Sequence, residues 1–144
     1  MSLRKEDREN LIRHIDFLES ELQDCPEFRD MDWTTYQTFR DKRRNVERWV
    51  ENIVNCSINI AKVLLATEGK SVPETYKDIL HQIGTIHNFD EKFGNDLSKW
   101  ARLRNIITHD YLDIKWSSIK NFIDQAEPVY RQLVQGVKDL LANT

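Results

Sequence analysis

The chain has 144 residues, of which 40% are hydrophobic and 31% charged, and its formal net charge is −3. That is enough apolar material for one core that needs neither disulfides nor metal, and too much for a disordered tail. The negative balance excludes a protein whose entire surface draws in nucleic acid, and leaves such a partner only a local basic groove.

At the start of the chain, MSLRKEDREN is too charged for a signal peptide. No apolar run approaches the roughly 18–20 residues that span a bilayer, so a cytoplasmic protein without membrane contact is expected. Four glycines and three prolines punctuate the chain into helices, and no alternating β-branched strand stands out. Residues 5–23 set Leu11, Ile12, Ile15, Leu18 and Leu22 at helical spacing, with Cys25-Pro26 as a stop. Residues 33–67 form the longest periodic segment, capped by Asp32 and closed before Gly69. Its stripe of Val46, Val50, Ile53, Ser57, Ile60, Ala61 and Leu64 is widened by Trp49, Val54, Ile58 and Leu65. Such a helix is either central or shared between a core and a partner.

Pro73 is expected to open a third helix carrying Tyr76, Ile79, Leu80 and Ile83, ended by Gly84. Residues 90–108 give a fourth, through Phe93, Leu97, Trp100, Leu103 and Ile107. Residues 114–142 give a fifth, which Pro128 is expected to kink or split. Short connections between such helices favour antiparallel neighbours. The expectation is an all-α antiparallel bundle of about five helices, with residues 1–144 forming one domain.

The fourth helix ends in RNIITHDY, residues 104–111. Arginine is a permanent cation with a forked donor face suited to phosphate, and histidine readily exchanges a proton near neutral pH. At about 100° per residue, Arg104 and His109 lie roughly 140° apart on a regular helix and cannot stack. Either the helix loosens near Thr108, or the two line opposite sides of a cleft. The plainer alternative has Arg104 paired with a carboxylate, His109 capping the helix and Tyr111 packed as a half-buried aromatic.

RNIITHDY resembles the signature of the HEPN superfamily, and with Tyr111 two residues beyond His109 it is similar to the HepT-like toxin branch. The resemblance extends to size, to the helical layout with a long basic-then-apolar second helix, and to the motif's position before a final long helix. It implies that Arg104 and His109 are the catalytic pair of a metal-independent ribonuclease needing no cofactor, and that Asn105 fills the polar position beside the arginine. It also implies that a cognate minimal nucleotidyltransferase antitoxin modifies Tyr111 with AMP, and that two copies pair as a homodimer with facing motifs. In that scheme His109 takes the proton of an RNA 2′-hydroxyl while Arg104 holds the phosphate. The alternative is a non-catalytic HEPN-like module that binds a nucleotide or docks the nucleotidyltransferase.

Elsewhere, RDKRRNVER at residues 40–48 repeats Arg40, Arg44 and Arg48 along one helix face. This is either a phosphate-tracking ridge that binds RNA or a solvated face with Asp41 and Glu47 as internal partners. His14, His81 and His87 show no metal-site spacing, and no metal is expected. Cys25 and Cys56, the only cysteines, fit a reducing compartment better than a disulfide framework. The triplet Asn55-Cys56-Ser57 matches a glycosylation acceptor but falls inside a helix. Trp33, Trp49, Trp100 and Trp116 are expected to anchor a core or an interface.

Overall fold

The computed structural model describes residues 3–143. Among them the fold is all-α, a bundle of about six substantial helices with shorter helical turns and no strand. Helix α1, Lys5–Leu22, buries Leu11, Ile15, Leu18 and Leu22, four positions three or four apart that make one face. Ile12 lies off that face and is exposed. Arg8 donates to the Leu141 carbonyl at 2.9 Å, satisfying an open acceptor at the far end of the chain's last helix.

Cys25-Pro26 does not stop the chain but begins a second short helix, α2, Cys25–Arg29, because proline is preorganised for a first helical turn. The expected single helix over 33–67 is two. Asp32 caps α3, Trp33–Thr38, accepting from the Thr35 amide at 2.8 Å. Phe39 is then extended, with φ −103 and ψ 101, and α4 runs Arg40–Thr67. The WTTYQTF run is rich in β-branched and aromatic residues that lose rotamer freedom in a helix. The break lets Tyr36 turn inward against Trp116, ring centroids 4.9 Å apart.

Helix α4 is central, packing against α1, α3, and three helices and one 3-10 turn further along the chain. It ends as its glycine predicts. Gly69 takes φ +70, and the Lys70 amide reaches the Leu65 carbonyl at 2.9 Å while the Gly69 amide reaches Ala66 at 3.0 Å.

Pro73 precedes the next helix rather than opening it. Helix α5, Tyr76–Gln82, is capped by Thr75, whose hydroxyl accepts from the Asp78 amide. A 3-10 turn at Ile83–Thr85 carries the chain past Gly84. Residues 90–108 also divide, into α6, Glu91–Ser98, capped by Asp90, and α7, Ala101–His109. At the junction Trp100 is driven into the core against Phe122 and Tyr130. Helices α5 and α6 meet so closely that a Cβ on Gly94 would sit 2.3 Å from the His81 carbonyl oxygen. The last helix, α8, Trp116–Ala142, is continuous through Pro128. Packing against α1, α2, α4 and α6 keeps both halves in one helix despite the lost backbone bond, so Pro128 does not split it. No helix among the described residues is long and apolar enough to cross a membrane.

Candidate active site

Helix α7 lies along the polar face of α4. Arg104 donates from Nε to Asn55 Oδ1 at 2.6 Å, and one turn later the Thr108 hydroxyl pairs with the Glu51 carboxylate at 2.5 Å. Positions 104 and 108 on one helix therefore meet 55 and 51 on the other, the pairing of antiparallel neighbours. Arg104 also donates from Nη1 to Asn105 Oδ1 at 3.1 Å, and its guanidinium carbon stands 4.7 Å from the centre of the Tyr76 ring on α5. Two amide oxygens and one aromatic face thus orient the cation, and among the described residues no carboxylate pairs with it. The guanidinium is half-buried and keeps donors to offer an anion.

His109 is the last residue of α7, and the helix does not loosen before it. The Asp110 amide still reaches the Ile106 carbonyl at 2.8 Å. One step of about 100° beyond Thr108 turns His109 away from α4, and its side chain is exposed. Among the described residues no hydrogen bond joins His109 to Arg104. The two stand on different sides of one helix end, as their spacing predicts, and within a single chain they do not form a pair.

At Asp110 the backbone leaves the helix with φ −128 and ψ 48, and a 3-10 turn over Tyr111–Asp113 follows. The turn projects Tyr111 outward, 70% exposed, so it is not the half-buried packing aromatic of the plainer alternative. Tyr111 lines a cavity of about 960 Å³ together with Arg40 and Arg44 from α4. Arg48, one turn further along, is exposed but outside that cavity. Asp41 and Glu47 form no ion pair with the arginines among the described residues. Glu47 instead accepts from the Tyr36 hydroxyl. Burial, reinforced by that carboxylate, pushes the Tyr36 phenol well above its ordinary range.

Nothing in the sequence ties Asn55 or Tyr76 to the motif, yet they hold Arg104. The available signal was the row Glu51, Asn52, Asn55 and Asn59, a polar strip along an otherwise apolar helix. Trp33 does not anchor the core. Trp49 and Trp100 are buried, but Trp33 is largely exposed on the same cavity. Among the described residues no three His, Cys, Asp or Glu side chains group as a metal site would require. A family model described as Ribonuclease HepT-like matches residues 18–137. A search of curated proteins returned no match.

Proposed function

The chain belongs to the Ribonuclease HepT-like family, and on that premise we propose that it is the toxin of a type VII toxin–antitoxin pair, a metal-independent endoribonuclease acting through Arg104 and His109. The observation that carries this reading is the division of labour in α7. Among the described residues Arg104 is oriented by Asn55 and Tyr76 with no carboxylate paired to it, and His109 stands at the exposed helix end. An RNA phosphate held by Arg104 is attacked by the neighbouring 2′-oxygen as His109 removes its proton. The bond from phosphorus to the 5′-oxygen breaks, that oxygen takes a proton, and the products are a 2′,3′-cyclic phosphate and a 5′-hydroxyl. Charge building on the phosphoryl oxygens is offset by the guanidinium, with Asn105 as its supporting polar neighbour.

One histidine cannot be base and acid at once, and Arg104 and His109 do not meet within one chain. A homodimer whose motifs face each other supplies both roles, with the second His109 protonating the leaving oxygen. Tyr111, exposed two residues from His109, is open to a cognate minimal nucleotidyltransferase. AMP attached to its hydroxyl puts bulk and negative phosphate in the path of the RNA.

The exposure of Tyr111 and of Leu112, which is 88% exposed, equally favours the second reading, a non-catalytic module that docks the nucleotidyltransferase. Expression alone separates the two. The toxin arrests growth and Arg104→Ala relieves the arrest, whereas a docking module leaves growth unaffected. Co-expression with the nucleotidyltransferase adds AMP masses to Tyr111 that Tyr111→Phe removes.

A further inference from the structure

The cavity that Tyr111 shares lies between the first turns of α4 and the chain entering α8. Its cations are Arg40, Arg43, Arg44 and Lys115, and its one carboxylate is Glu47, already engaged by Tyr36. Among the described residues none of the three arginines joins an ion pair or a side-chain hydrogen bond. In a chain of net charge −3, three guanidinium groups lining one cavity and not ion-paired among the described residues repel one another, a cost that an anionic ligand offsets.

The second observation is aromatic. Trp33 is 52% exposed. It stacks on Tyr36, centroids 6.3 Å apart and planes 30° apart, and Tyr36 in turn meets Trp116. The three rings run as a ladder along the cavity wall, with Trp33 at its open end. Cations placed for phosphates beside an exposed indole held by its neighbours are the combination that retains single-stranded nucleic acid. An acidic peptide would use the arginines but gain nothing from the ladder.

We propose that this cavity is a single-stranded RNA subsite in which Trp33 stacks one base and Arg40, Arg43 and Arg44 hold the phosphates beside it. The choice of RNA as the polymer rests on the ribonuclease reading above. Tyr111 lines the cavity and is joined to His109 through Asp110 alone, so a strand seated here continues toward His109. Arg48 has no part in it, whereas Arg43, which breaks the four-residue repeat, does.

The test uses the full-length protein and a labelled single strand of about ten 2′-deoxynucleotides, within the range one such groove accommodates. Lacking a 2′-hydroxyl, this strand cannot undergo the proposed cleavage, so binding is read separately from catalysis, and His109→Ala tests only the earlier reading. Trp33→Ala weakens binding roughly 5- to 100-fold, and Trp33→Phe restores most of it. Each of Arg40→Ala, Arg43→Ala and Arg44→Ala lowers the slope of log affinity against log salt by about 0.7. Unchanged affinity in Trp33→Ala, or a salt slope that the arginine substitutions leave unmoved, overturns the proposal. So does polyglutamate competing equally well against the wild type and Trp33→Ala, which would make the surface a protein-docking site.

Discussion

Replacing Asn55 by alanine removes the acceptor that aims Arg104 while leaving Arg104 itself in place. The contact is a charge-assisted hydrogen bond of 2.6 Å in a partly buried setting. Hydrogen bonds to charged groups contribute about 1.5–3 kcal/mol, and partial exposure discounts this to roughly 1–2 kcal/mol. If that orientation is realised in the transition state, kcat/KM for RNA cleavage falls roughly 5- to 30-fold. Arg104→Ala, which removes the phosphate clamp altogether, should cost on the order of 10²–10³. The informative assay is the double-mutant cycle, read with a fluorogenic RNA. With Arg104 already absent, Asn55→Ala should add nothing, because the acceptor then has no donor to aim. Thermal melts of all four proteins exclude a trivial loss of folding. Equal losses from Asn55→Ala with and without Arg104 would refute the positioning role.

Two further predictions concern the scaffold. Gly94→Ala sets a methyl against the His81 carbonyl, where the ideal Cβ lies 2.3 Å from the oxygen. Overpacking of this kind should lower Tm by roughly 3–10 °C in calorimetry, and an unchanged melt would show that α5 and α6 can separate freely. Cys56 donates its thiol to the His14 carbonyl, and burial pushes its pKa from 9.0 up to about 12. Above pH 9 the unfolded chain releases this proton while the folded one retains it, so stability should decline from pH 9 toward pH 12. Urea midpoints across that range should fall less in Cys56→Ala than in the wild type, and parallel curves would contradict the assignment.

The helical class, the central long helix and the closing turn at Gly69 were legible because each rests on a local rule, whether apolar periodicity or a residue tolerant of positive φ. Most of the differences lie at joints. Periodicity carries across Phe39 and across Lys99-Trp100, so it reads two helices as one. What breaks them is tertiary, the inward turn of Tyr36 and the burial of Trp100. Pro128 does not split α8, because packing against four helices outweighs one missing hydrogen bond. Within the candidate site, the motif alone points to Arg104, His109 and Tyr111. Asn55 sits 49 residues from Arg104 and Tyr76 on a third helix, so neither shares a local pattern with what it supports. Sequence alone does not separate Trp33 from the buried Trp49 and Trp100, because a tryptophan's exposure is decided by its neighbours rather than by its identity.

The most direct measurement is cleavage of single-stranded RNA by the purified protein in the presence of a chelator, with the termini of the products analysed. Ribonuclease action through His109 gives fragments ending in 2′,3′-cyclic phosphate and beginning with a 5′-hydroxyl, which disappear in His109→Ala. RNA left intact by the wild type, or cut undiminished by His109→Ala, would contradict it.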